Sequence, residues 1–582
     1  MDNLRSKIKA EYLFAAAVSA VMLILFVNRL VHGVETSDEA FYNSIGYRLI
    51  KGNIPFGDMW EVMATDSLIM APFYLIRSIF VKDGEGLQLY SRICFMILNG
   101  IGAFGIFRYA SRRIKGTYAF LTALLFWFNS PFQIYDFSYN NMANTFISLT
   151  ICLMMMGFDE YKKRYFILMG IAMAFAILAY PTMIYFCVIF PVVILIRSRS
   201  LKGLKSCLLY AAGGIGTAVP VVIFIAAHTG FSGLIKNIQY ILSSDTAHSL
   251  EAGHILYQIK DAFIFLTDPF SNFGIVFMIW VAAMTITAAV RKTRPAAICM
   301  TVLYPLVCGY FCAVQGGVKA VMNFIFCMIF IAPAAVFLSE SGAARIREFI
   351  LEFGLGLLVY FVLSFSTGGG PAQAINGLLF AAVASVIMMA ESASSFSGPR
   401  LSSVMVYSLV IFAVASEILC FYRGVYRDDP YSKLNTRVES GLYKGLYTTA
   451  DRKEHLEDLG ALMASLEEKD ESVMILYHCC YSYMMVDMTP KIPSTWGCFD
   501  VETYGFDNEE VFLTYLAEED NIPDNVLIVD IPQRFDTAGQ QKELYEPYYG
   551  RLIEFIEENY TYTGEFENGR SGKVIKYERE TV

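Results

Sequence analysis

EYLFAAAVSAVMLILFVNRL, Glu11 to Leu30, is a run of twenty residues with one acid at its start and one base near its end. SSVMVYSLVIFAVASEILCF, Ser402 to Phe421, has the same length and a single Glu. A helix of about 20 residues crosses the roughly 30 Å of hydrocarbon in a bilayer. It also pairs its own backbone polar groups, as a medium without water requires. These runs are typical of the chain: of its 582 residues 55% are hydrophobic and only 17% charged, and the mean hydropathy is +0.47. A water-soluble surface on this length needs more charge. The fold class is therefore a polytopic α-helical membrane protein.

Thirteen transmembrane helices are predicted, near 12–31, 88–108, 117–135, 139–158, 164–180, 182–196, 206–228, 271–290, 295–314, 320–338, 349–366, 373–391 and 402–421. The stretch from Ser67 to Phe80 is shorter and suits the interface. Ala15 to Ala17 precede the most apolar part of the first run, the reverse of a cleavage site, so that run reads as a retained span. Basic clusters fall on alternate connections: Arg5/Lys7/Lys9, Arg112/Arg113/Lys115, Lys162/Lys163/Arg164, Arg197/Arg199/Lys202/Lys205, Arg291/Lys292/Arg294, Arg345/Arg347 and Arg400. By the positive-inside rule the N-terminus is cytoplasmic. The first loop (32–87), the loop from Thr229 to Phe270 and the C-terminus are then extracytoplasmic, and the expected location is the plasma membrane of a bacterium.

The net charge of −9 conceals a split. From Arg423 onward there are 16 Lys and Arg against 32 Asp and Glu, while the preceding 422 residues hold 29 basic and 22 acidic side chains. This divides the chain into a membrane domain, 1–422, and a small acidic, soluble α/β domain, 423–582. Within the latter, 471–478 and 525–531 read as strands, and Asp451 to Glu468, Asn508 to Glu519 and Gln541 to Asn559 as amphipathic helices. Within the membrane domain basic residues sit in short clusters between spans, and nothing suggests a nucleic-acid partner.

The first outer loop, ETSDEAFYNSIGYRLIKGNIPFGDMWEVMATDSLIMAPFYLI from Glu35, carries the chemistry. Asp38 and Glu39 lie just outside the first span and open an amphipathic helix expected to end near Gly52. A carboxylate at the water–bilayer boundary is placed to accept a proton from an acceptor hydroxyl while that hydroxyl attacks a sugar carbon. The same residues also form a capping box, in which Thr36 caps the helix and Glu39 folds back on the Thr36 amide. Acids in a first turn suit the helix dipole as well. Both readings hold together if Glu39 caps and Asp38 faces the cleft.

The order of first span, Asp-Glu pair, aromatic, helix ending in Gly, Pro, Gly-Asp and Pro-containing apolar helix resembles the GT-C class of membrane glycosyltransferases. That class includes the protein O-mannosyltransferases and the lipid A aminoarabinose transferases. The resemblance implies an essential first-loop acid, carried over to Asp38 with Glu39 beside it, and a polyprenyl-phosphate sugar donor. It implies an extracytoplasmic glycan, lipid or protein acceptor. Tyr42, Gly52, Pro55 and Asp58 match recurring loop positions, and Leu87 to Tyr109, with Arg92, matches the following span. The chain departs from the class where bacterial members carry Lys-Pro-Pro: here stand Asp66-Ser67-Leu68 and Ala71-Pro72, without a base.

A lipid phosphate needs cationic or amide partners. Lys319, with Asn323 a turn later, is the first choice; Arg48, Lys51, Arg77 and Arg92 are alternatives that could equally snorkel to headgroups. Asp58, Glu61 and Asp66 could supply a second carboxylate or ligate a divalent metal. A Gly-Asp turn and a helix start explain Asp58 and Asp66 as well, and no metal-ligand spacing is present. His228, His248 and His254 are scattered. Tyr135, Tyr139 and Tyr180 could stack on sugar, as could Tyr481, Tyr483, Trp496 and Tyr504 in the tail, although packing is the commoner use. Nine of twelve cysteines lie in or beside spans; Cys498 could pair with Cys479 or Cys480, or all three could be free thiols. The competing function, a transporter or flippase for a lipid-linked or small polar solute, predicts related halves and midplane charges. The sequence shows few charges within its spans.

Overall fold

The computed structural model describes the chain apart from residues 1, 82, 130–133, 245–251, 268–273, 316–326, 339–345, 367–370, 397–398, 424, 477–479, 497–507, 531–549, 568–571 and 580–582. Apolar runs become helices, beginning with α1 (Asp2–Val31), α2 (Asp38–Ile50), α3 (Ser67–Ser78), α4 (Leu87–Ala110), α5 (Gly116–Phe128), α6 (Tyr139–Glu160) and α7 (Lys163–Ala179). Among the described residues eight segments are long and apolar enough to cross a membrane: Ala10–Val31, Leu87–Ala110, Tyr139–Glu160, Pro181–Ser198, Leu201–Thr229, Ile346–Phe365, Gln373–Ala393 and Ser403–Tyr422. Gly116–Phe128, Ile275–Ala289 and Cys327–Leu338 are apolar but shorter. Thirteen spans are therefore not reached by length and composition. Among the described residues of 229–270, the stretch expected outside, there are two helices, Phe231–Ser244 and Ala252–Thr267.

Burial sorts the spans into inner and outer. Tyr139–Glu160 and Gln373–Ala393 are buried over 94% of their apolar windows, the first span over 11%. Leu13, Leu23 and Ile24 of α1 are exposed, which fits contact with lipid instead of water. Close packing between α7 and the helix Leu201–Thr229 depends on glycine. A Cβ on Gly170 would stand 2.0 Å from the Tyr210 carbonyl oxygen, and one on Gly213 2.2 Å from that of Ile167. Small residues of this kind let membrane helices approach.

After the helix Pro399–Arg423 the chain forms β1 (Thr436–Arg437) and β2 (Tyr447–Thr448), a short antiparallel pair, then β3 (Ser472–Leu476), β4 (Thr489–Pro490), β5 (Asn525–Asp530), β6 (Tyr560–Glu567) and β7 (Lys573–Arg579). The last five make one mixed sheet in the order β4-β3-β5-β7-β6. β3 pairs in parallel with β4 and β5. SVMIL and NVLIV are buried throughout, as central parallel strands require. Helices Ala450–Ser465, Asn508–Leu516 and Gly550–Asn559 accompany the sheet; residues 541–549 of the third expected helix lie outside the described residues.

The tail is stitched to the first loop. The Trp60 amide donates to the Pro493 carbonyl at 2.8 Å, and the Thr495 amide to Glu61 Oε1 at 3.1 Å. Gly86 N bonds Gly441 O at 2.9 Å, and Gly33 N bonds Tyr447 O at 2.8 Å. Gly33 has φ +87, and a Cβ there would sit 2.2 Å from Val425 Cγ1. A glycine is required where the end of α1 turns under the start of the tail.

Candidate active site around Asp38

α2 begins at Asp38, and its N-cap Ser37 makes no side-chain cap bond. The Glu35 carboxylate does the capping, accepting from the Ser37 amide at 3.0 Å and the Glu39 amide at 2.6 Å. The expected Thr36–Glu39 capping box does not form. Nor is α2 amphipathic: Glu39 through Arg48 are all buried, because α3, α4 and the tail enclose the helix.

Glu39 turns instead to α4. Arg92 Nη2 and Nε reach Glu39 Oε2 at 2.5 and 3.0 Å, Gln88 donates to the same oxygen at 2.6 Å, and Arg29 stands 3.9 Å from Oε1. Glu39 and Arg92 are fully buried, where an isolated charge is too costly to persist. The remaining Arg92 donors hold the Leu30 and Gly33 carbonyls, both at 2.9 Å. Arg92, expected as a phosphate ligand, therefore fixes the exit of α1.

Beside this pair lies Asp136, between α5 and α6. It accepts from Asn43 at 2.8 Å, Gln88 at 3.0 Å, the Phe137 amide at 2.7 Å and the Ser91 hydroxyl. Burial, then the charge of Glu39, raises its carboxyl above the usual range. Burial and the neighbouring Asp38 charge do the same to Glu35. Sequence reading missed both. Asp136 stands in a connection between two predicted spans, where an acid is unremarkable; its burial comes from side chains of α2 and α4.

Asp38 differs from its neighbours. Its side chain keeps 16% of its surface exposed, against 1% for Glu35 and 0% for Glu39. Tyr426 OH donates to Asp38 Oδ2 at 2.7 Å, and Arg427 Nη1 stands 3.4 Å from Oδ1. Arg427 also bonds the Ser37 hydroxyl and lies 3.6 Å from Glu35. Both partners come from the segment following the last span, some 390 residues away, and no local pattern announced them.

Tyr42, one helical turn beyond Asp38, meets Tyr139 edge-on at 5.5 Å, and Tyr139 meets Tyr180 at 5.3 Å. Burial lifts the Tyr42 hydroxyl well above its ordinary pKa, with Tyr139, Asp38, Tyr426 and Glu35 adding to the effect. Asp66 is fully buried, and neither of its oxygens has a hydrogen-bond partner among the described residues. Its side chain does not cap α3, so the helix-start explanation fails. Adjacent Thr65 bonds the Leu178 carbonyl at 2.7 Å, two residues before Tyr180. Burial and the Glu61 charge push the Asp66 carboxyl well above the carboxylate range.

Other expected residues are committed to structure. Arg48 is buried, neither snorkelling nor open to a ligand; it donates to Asn53 Oδ1 at 2.9 Å and to the Asp58 and Ile492 carbonyls at 2.7 and 2.5 Å. Asp58 closes its turn by accepting from the Ile54 amide at 2.7 Å. Lys51 pairs with Asp487, and Arg77 holds the Asp83 and Glu85 carbonyls. Tyr135 donates to the Phe128 carbonyl at 2.9 Å, and Tyr481 and Tyr483 are buried in the tail. Trp496 packs on Phe41 at 4.8 Å. Lys319, Asn323, His248, Tyr504, Cys479 and Cys498 lie outside the described residues, and Cys480 is buried. Among the described residues no three His, Cys, Asp or Glu converge as metal ligands.

No curated protein matches the chain in a sequence comparison. Residues 70–225, from α3 to the helix Leu201–Thr229, match the family model described as dolichyl-phosphate-mannose-protein mannosyltransferase. With the membrane-spanning helices around it, that match supports a GT-C class membrane glycosyltransferase.

Proposed function

We propose that the protein moves a sugar from a polyprenyl-phosphate-linked donor to an extracytoplasmic acceptor, with Asp38 as general base. The observation that carries the proposal is the sorting of acids beside α2. Glu35, Glu39 and Asp136 are buried and bonded, whereas Asp38 alone of the four keeps an exposed edge on a rigid mount. The family matched over 70–225 is described by a dolichyl-phosphate-mannose donor, which favours a lipid-phosphate sugar here.

In the proposed reaction the acceptor hydroxyl gives its proton to Asp38 as its oxygen bonds the anomeric carbon. The bond from that carbon to the phosphate oxygen breaks, and the polyprenyl phosphate leaves with the bonding pair. Tyr426 and Arg427 hold the carboxylate in one orientation, so little reorganisation is needed when it takes the proton. Tyr42 and the unpartnered Asp66 are assigned to the sugar, Asp66 through the sugar's hydroxyl donors. The first loop and the tail face the cell exterior, where the carrier presents its headgroup.

Two measurements test this reading. Impermeant labelling of a cysteine placed at the exposed Asp83 should succeed in intact cells; labelling only after lysis would put the site on the wrong side. Comparison of cell-envelope glycans with and without the gene should reveal one missing linkage, and an unchanged glycan set would remove the transferase assignment.

A further inference from the structure

We infer that Arg427 is the cation that binds the phosphate of the lipid carrier, so that the tail completes the active site. The inference rests on the proposed transferase reading and goes on to name the anion's ligand.

The residue is placed with unusual care. Its backbone is left-handed, φ +53, which a side chain bearing a Cβ adopts only when its surroundings impose it. Those surroundings are explicit. Asp428, the next residue, accepts from the Val34 amide of the first loop at 2.7 Å, from Thr448 Oγ1 at 3.0 Å and from Arg452 Nη1 at 3.0 Å. Arg452 also holds the Arg427 carbonyl at 2.9 Å. The main chain is thereby clamped between the end of α1 and the tail, and the guanidinium is held against Asp38 Oδ1.

Charge and exposure single it out. Beside Glu35, Asp38, Glu39 and Asp136 stand three guanidiniums. Arg29 and Arg92 are 3% and 0% exposed, whereas Arg427 is 32% exposed. Its Nη1 serves Ser37 and Asp38; Nη2 and Nε make no hydrogen bond among the described residues. A guanidinium presents its donors in a planar fork, so one edge can hold a carboxylate while the other takes two phosphate oxygens. That arrangement sets the leaving phosphate and the base within one side chain of each other.

The test uses the full-length protein in nanodiscs with farnesyl phosphate as probe and farnesol as its uncharged counterpart. Wild type should bind farnesyl phosphate at least ~10-fold more tightly than farnesol, about 1.4 kcal/mol. Arg427→Gln should reduce that preference to near unity, and Arg427→Lys should recover part of it. Asp38→Asn should keep the preference while losing turnover. Undiminished selectivity in folded Arg427→Gln would overturn the assignment. As a check on the unsubstituted protein, phenylglyoxal modification of Arg427, mapped by mass spectrometry, should be suppressed by farnesyl phosphate; unsuppressed modification would equally overturn it. Full turnover in Asp38→Asn with phosphate selectivity lost in Arg427→Gln would remove the base and leave the phosphate site standing, so the two failures are distinguishable.

Discussion

Replacing Arg92 by Met tests whether Glu39 serves the architecture of the first loop, apart from the base role proposed for Asp38. The substitution keeps most of the volume but leaves Glu39 buried with Gln88 at 2.6 Å and Arg29 at 3.9 Å as its side-chain neighbours. Breaking a buried pair from one side costs about 3–5 kcal/mol, because the surviving charge is stranded. The Leu30 and Gly33 carbonyls lose their donor too, adding about 1 kcal/mol each. Glu39→Gln alone should be milder, since an amide can still accept from Gln88. The double variant should be more stable than the sum of the single effects predicts, by at least about 1 kcal/mol, as expected for residues in direct contact. Unfolding by SDS titration in mixed micelles gives all four corners of the cycle. A cost below about 1 kcal/mol for Arg92→Met, or strict additivity, would refute the view that this pair fixes the loop.

Arg48→Met removes the donors to Asn53 and to the Asp58 and Ile492 carbonyls, and should cost about 2–5 kcal/mol. Limited proteolysis should then release fragments of 423–582 faster than from wild type; unchanged cleavage would show that other contacts carry the tail. Asp66 gives a pH signature. Its carboxyl titrates higher in the folded protein than in the unfolded chain, so the native state holds more protons through the interval between the two values. Stability therefore falls as pH rises from the ordinary carboxylate range of about 4. Asp66→Asn should lack this decline, giving a flatter Tm between pH 5 and 8; parallel curves would exclude an unusual ionisation there.

The sequence revealed what depends on local pattern. Apolar runs marked the helices, and the all-buried strands β3 and β5 fell within the two β-rich runs of the tail. What stayed hidden depends on tertiary contact. Thr36 to Glu39 obeys the grammar of a capping box, yet Arg92 on α4 draws Glu39 away and Glu35 takes over the amides. Local hydrogen bonding lost to a buried guanidinium that needed a counter-charge. Arg48 looked like a surface base because nothing in its own helix indicates that the tail covers it. Tyr426 and Arg427 were passed over because they belong to another part of the chain and meet Asp38 only when the tail docks. The count of thirteen spans rested on apolar runs; among the described residues eight helices are long and apolar enough to cross a membrane.

The most direct measurement of the central claim is sugar transfer by purified Asp38→Asn from a polyprenyl-phosphate donor, with release of polyprenyl phosphate as the readout. The substitution is nearly isosteric and retains an acceptor for Tyr426, so the melting temperature should stay within a few degrees of wild type. Turnover should fall by about 10²–10⁴-fold, the range for loss of a positioned general base. Wild-type rates from the Asn variant would contradict the assignment of Asp38 as the group that takes the acceptor's proton.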